Sequence, residues 1–124
     1  MRILQTKFFA KFARGNRLQA GELFDAVERL ENGVFDAHLG NGLFKQRVAR
    51  EGAGRSGGFR TILIFRSEDR AIFVHGFAKN VQANITVQDL KDLRHLAKRV
   101  LKLTASELAT AVRDGDFLEI NDED

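Results

Sequence analysis

The sequence predicts an α+β domain, with helices first, an antiparallel sheet in the middle and helices again at the end. Three observations lead there. Apolar residues recur at three- and four-residue spacing between residues 6 and 32. Residues 43–79 switch to a two-residue period rich in Ile, Phe, Val and Thr. Helical spacing returns after Ile85.

Thr6 to Arg14 reads as a short helix. Phe8 and Phe12 lie four apart on one side with Phe9 beside them, and Lys7, Lys11 and Arg14 form a basic stripe on the other. Gly15-Asn16 ends it. Residues 19–32 form a second helix, with Leu23, Ala26, Val27 and Leu30 at core spacing and Gly33 at its C-terminal end. Residues 33–42, including Asp36 and His38, read as a loop. Leu43–Arg50 alternates as a strand, and Glu51–Gly58 is a glycine-rich loop. Phe59–Arg66 and Ala71–Lys79 form an antiparallel hairpin across a four-residue connection, Ser67–Arg70. Its first strand is apolar on both faces at its centre, which marks a central strand. Thr86 is positioned to cap a helix carrying Leu90, Leu93, Ala97 and Val100. Thr104 and Glu107 form a capping box for a last helix, which Asp114-Gly115 stops. Phe117–Ile120 reads as a short edge strand.

The chain has 124 residues, a length that suits one domain, here residues 1–120, with 121–124 as an acidic, disordered tail. There is no Cys, which excludes disulfides, thiol nucleophiles and cysteine-based zinc sites, and no Tyr. No apolar run is long enough to span a membrane. Arg2 and the residues after it begin like a signal sequence, but Lys7 and Lys11 interrupt the apolar run, so a soluble cytoplasmic protein is expected.

The net charge of +3 conceals strong blocks. Residues 1–17 carry +5, 18–42 carry −4, 43–80 carry +5, 81–113 carry +3 and 114–124 carry −6. Basic blocks attract polyanions, of which the phosphate backbone is the commonest. With the hairpin paired as above, Ile62 faces His75 and Arg60 faces Phe77. Arg60, Ile62, Ile64, Phe73, His75, Phe77 and Lys79 then share one sheet face. Lys45 and Arg47 share a face of the preceding strand, and if that face is the same one the site holds up to four cations and one imidazole. Arg grips a phosphate with two hydrogen bonds, His moves a proton near neutral pH, and a Phe face stacks on a base. Arg66 and Arg70 flank the turn and are expected to be solvated. The loop around Arg55 matches neither the phosphate-loop pattern nor the dinucleotide fingerprint, because no helix follows it. Its functional reading is a close approach of Arg55 to nucleic acid. No His pair has metal-ligand spacing and no paired carboxylates occur in the block, so neither a metal site nor any other cofactor is expected, and any nuclease chemistry here is expected to be metal-independent.

Residues 43–80, with K-Q-R-V-A-R at 45–50, G-A-G-R-S-G-G-F-R at 52–60 and G-F-A-K-N at 76–80, resemble the RelE/HigB-like toxins of bacterial type II toxin–antitoxin systems, closest to the phage-derived RelE-like branch. The resemblance extends over nearly the whole chain. It implies a RelE-like antiparallel sheet with helices packed on one side. It also implies a translation-inhibiting toxin, an endoribonuclease that cuts mRNA on the ribosome without a metal, and a cognate antitoxin partner, in this branch a helix-turn-helix protein. Mapped onto this chain, Arg60, His75, Lys45 and Lys79 are the catalytic candidates, and Arg47, Arg50, Arg55 and Phe77 the RNA- and phosphate-binding ones. Many members of the family use a Tyr near the reacting groups, and His75 stands where that residue is expected. Two other readings stay open: a non-enzymatic, ParE-like inhibitor of gyrase, and a degenerate member that binds only its antitoxin or a nucleic acid.

Overall fold

The protein is described by a computed structural model that covers residues 1–50, 54–78 and 85–121. Its elements run β1 (Arg2–Gln5), α1 (Lys7–Gly15), α2 (Ala20–Glu31), β2 (Ala37–His38), β3 (Leu43–Arg50), β4 (Gly54–Arg66), β5 (Arg70–Ala78), α3 (Val87–Lys102), α4 (Ala105–Arg113) and β6 (Leu118–Glu119). The six strands form one sheet in the order β2-β3-β4-β5-β1-β6. All pairings are antiparallel except that of β1 with β5. The α+β class and the sheet-with-helices architecture are therefore as expected.

The caps expected at Thr86 and Thr104 form: the Thr86 hydroxyl accepts from the Asp89 amide, and Thr104 with Glu107 makes a reciprocal capping box. Thr6, read as the first residue of α1, caps it instead, its hydroxyl accepting from the Phe9 amide. Two short strands were not expected. β1 wedges between β5 and β6, and β2 extends the sheet beside β3 within what reads as a loop. Neither has enough length for a periodic signal. β4 also starts at Gly54, so part of the expected glycine-rich loop is strand paired back to Arg50.

Helices cover both faces of the sheet rather than one. Leu4, Leu43, Ile62, Ile64, Ile72 and Val74 pack with Ala97 and Val100 of α3 and Leu108 of α4. Val48, Leu63, Ala71 and Phe73 pack on the opposite side with Phe9 of α1 and Leu23, Ala26, Val27 and Leu30 of α2. The reason lies in β4 and β5, where consecutive residues are apolar, so that both faces must be kept from water.

The hairpin reaches the expected pairing by a different route. The connection is three residues long, with Arg66 opposite Arg70, and the register shifts between Ile62 and Leu63 so that β5 carries one extra residue, Val74. This β-bulge restores Ile62 opposite His75 and Arg60 opposite Phe77. Phe73 lies on the near side of the bulge. It therefore faces α1 instead of sharing a face with His75, and stacks on Phe9 at 5.0 Å between ring centroids.

The expectation that Arg66 and Arg70 are solvated is overturned for Arg70, which is fully buried, whereas Arg66 keeps about a third of its side chain exposed. The Arg70 guanidinium grips Asp69 with two hydrogen bonds of 2.9 Å and donates to the Val100 carbonyl at 2.8 Å. Arg66 grips the same carboxylate at 3.0 Å and donates to the Leu101 carbonyl at 2.8 Å. One carboxylate thus holds two arginines, and these satisfy carbonyls in the last turn of α3, where positive charge also suits the helix dipole. The two arginines hold the Asp69 carboxyl well below the usual carboxylate range. Among the described residues, no helix is long and apolar enough to cross a membrane.

Candidate functional site

The sheet face that packs on α3 continues past its apolar rows into a cationic end. Lys45, Ile62 and His75 form one row across β3, β4 and β5, and Arg47, Arg60 and Phe77 form the next. Ile62 and Phe77 belong to the α3-side core, which places Lys45, Arg47 and Arg60 on the same face by strand alternation. The pairing of β3 with β4 puts Lys45 and Arg47 on the face that carries Arg60 and His75.

Each cation is held differently. Arg60 is largely buried, and its Nε lies 2.9 Å from Asp36 Oδ2 in an ion pair, while its Nη1 is buried with no hydrogen-bond partner among the described residues. Arg47 is half-buried. Its backbone is fixed by Arg29, whose Nη2 donates to the Arg47 carbonyl at 2.7 Å, and its own Nε is buried and unpartnered among the described residues. Lys45 is also half-buried, and its carbonyl accepts from the Asp36 amide at 3.0 Å. Asp36 is a residue the sequence did not single out. It lies 24 positions before Arg60, and only the pairing of β2 with β3 brings it within reach.

His75 stands where β1 stops pairing at Phe73 and the outer side of β5 leaves that ladder. Its ring stacks on Phe8 at 5.7 Å and 8° and sits 6.1 Å from Phe77. Its Nε2 is buried with no partner among the described residues. Burial lowers its pKa below the ordinary histidine value, and the Asp89 carboxylate partly opposes that. The neutral imidazole, able to accept a proton, is therefore favoured at neutral pH.

The remaining candidates fall out differently. Phe77 is only 5 % exposed and packed in the α3-side core, so it supports the site from beneath and offers no open ring to a base. The exposed aromatic beside His75 is instead Phe8, at 64 %, which its four-residue spacing from Phe12 had grouped with the apolar side; Phe9 is the buried member of that pair of neighbours. Arg50 and Arg55 sit on β3 and β4, but their side chains lie outside the described residues, as does Lys79 entirely. Residues 122–124 of the acidic tail also lie outside them.

What this arrangement offers is two guanidinium donors without partners, Arg47 Nε and Arg60 Nη1, on the face that carries the unpartnered imidazole nitrogen of His75. Buried donors without partners are uncommon, and an anion with several acceptor oxygens satisfies those of the two arginines. A cationic donor set of this kind suits a phosphate and does not suit a divalent metal ion.

A family model described as the RelE toxin of the RelE / RelB toxin-antitoxin system matches residues 1–120. No curated protein matches the chain.

Proposed function

The chain belongs to the RelE toxin family of toxin–antitoxin systems, and from that premise we propose that it is an endoribonuclease that cleaves mRNA on the ribosome without a metal ion and is held inactive by a cognate antitoxin. The observation that carries this reading is the trio of unpartnered buried nitrogens on Arg47, Arg60 and His75, gathered at one end of one sheet face. A scissile phosphate seated there accepts from both guanidinium groups. The neutral His75 takes the proton from the ribose 2′-OH as its oxygen attacks the adjacent phosphorus. The bond from phosphorus to the 5′-oxygen breaks, and that oxygen takes a proton from Lys45 or solvent. The products are a 2′,3′-cyclic phosphate and a 5′-hydroxyl. Arg60, oriented by Asp36, offsets the charge that builds on the phosphate oxygens. Lys79 is a further phosphate contact in this reading, with Arg50 and Arg55 along the RNA strand.

The test is cleavage of mRNA in programmed ribosomes, with end-group analysis of the fragments. Arg60→Ala is expected to slow cleavage by about 10²–10³-fold, and His75→Ala by about 10²–10⁴-fold. A double variant that cuts as fast as the parent protein excludes this site. Growth arrest accompanied by DNA-damage signalling and intact transcripts overturns the nuclease reading in favour of a topoisomerase target.

A further inference from the structure

A pocket of about 330 Å³ opens beside the cationic face, between the N-terminal ends of α1 and α3. Phe8 and His75 form one wall, Asp89 and Asp92 the rim, and Leu93 and Leu96 the inner lining. Its size lies at the lower end of small-ligand sites. Phe8 leaves one ring face open while stacking on His75 with the other. The Asp92 Oδ1 accepts from Gln88, and its other oxygen, with both oxygens of Asp89, has no hydrogen-bonding donor among the described residues. The buried, unpartnered Nε2 of His75 belongs to a ring that lines the same cavity.

We infer that this pocket holds one unpaired nucleobase of the RNA and selects the base that presents two adjacent N–H donors on its pairing edge, guanine. The flat aromatic pair supplies the stacking surface. The carboxylates are acceptors only, so they match the adjacent N1–H and N2–H₂ donors of guanine and leave the carbonyl edge of uracil unsatisfied. The distance fits. His75 is one row, two residues along the strand, from the Arg47–Arg60 row, which is about 7 Å. A phosphate on those arginines therefore reaches the pocket with its own nucleotide's base. A cationic peptide segment is a poorer occupant, because the neighbouring Lys45, Arg47 and Arg60 repel it.

This inference rests on the RNA reading of the cationic face, and the test separates the two. The full-length protein is titrated with GMP, AMP, CMP and UMP while backbone amide shifts are followed. GMP is expected to bind at least about tenfold more tightly than UMP, with shifts at Phe8, Val74 and Leu93. Asp89→Asn with Asp92→Asn is expected to abolish that ratio. The ratio is the readout because the lost charge strengthens binding of all four nucleotides alike. Phe8→Ala weakens all four, and Arg60→Ala weakens all four without changing their order. Shifts confined to Arg47 and Arg60, or equal affinity for the four nucleotides, overturn the base pocket while leaving the phosphate site standing. Base-selective shifts at Phe8 that Arg60→Ala does not weaken keep the pocket and overturn the phosphate site. Pocket shifts with a lysine-rich peptide but with no nucleotide overturn the inference.

Discussion

At His75 two influences oppose each other. Burial disfavours the imidazolium, while the Asp89 carboxylate favours it, and burial is the larger. The folded chain therefore holds the histidine proton less readily than the unfolded chain. The unfolded state binds more protons below the ordinary histidine value of about 6.5, so this residue's contribution to stability is complete above that pH, falls as pH drops toward the folded value and is level beneath it. An NMR titration of the His75 ring is expected to give a midpoint below 6.5, and Asp89→Ala to lower it further. A midpoint at or above 6.5 contradicts the burial argument. The same depression leaves His75 able to accept a proton at neutral pH, as the proposed cleavage requires.

Among the elements, the hairpin of β4 and β5 sets the geometry of the site from both of its ends. At the turn, Asp69 joins Arg66 and Arg70 and ties them to the C-terminal turn of α3. Removing the carboxylate leaves Arg70 charged and fully buried with one carbonyl partner. Asp69→Ala is therefore expected to cost about 2–4 kcal/mol, near the range for breaking a buried pair and reduced because Asp69 itself is partly exposed. Equilibrium denaturation measures it, and a loss under 1 kcal/mol contradicts the clamp. Midway along the hairpin, the bulge at Val74 rotates the outer half of β5 by one residue. Without it, Arg66 opposite Arg70 would place His75 on the α1 side, away from Arg60. Gly76, just beyond, is where the Phe12 ring lies against the strand, and a Cβ there would run into that ring.

For the molecule as a whole, the modest net charge understates the positive charge gathered on one sheet face. The sheet face gathers Lys45, Arg47 and Arg60 from two strands, while acidic residues are concentrated elsewhere in the sequence. Binding to single-stranded RNA is expected to weaken steeply with salt. Each phosphate contact contributes about 0.7 to the slope of log affinity against log salt. Replacing Lys45, Arg47 and Arg60 together by Ala is expected to lower the slope by about 2. An unchanged slope, measured by fluorescence anisotropy from low to physiological salt, places the RNA on another surface.

The sequence by itself determined what depends on near neighbours. The two hydroxyl caps at Thr86 and Thr104 and the period change from helix to strand at residue 43 follow from side chains within a few positions of one another. The sharing of a face by Lys45 with Arg47, and by Arg60 with His75, was also legible, because alternation along a strand is local; that the two faces coincide was decided by the pairing of β3 with β4. That legibility owed something to compensation: the loop came out one residue shorter than expected, and the bulge one residue longer. Tertiary structure alone decided the rest. β1 and β2 exist only because β5 and β3 supply the other half of their hydrogen bonds. Arg70 is buried because α3 presents carbonyls to it from 30 residues away. Asp36 orients Arg60, and Phe8 remains exposed on His75, through contacts between segments that no local pattern relates. Hydrogen-bonding partners and burial are properties of the packed chain, and they turn a row of basic residues into a candidate site with unsatisfied donors.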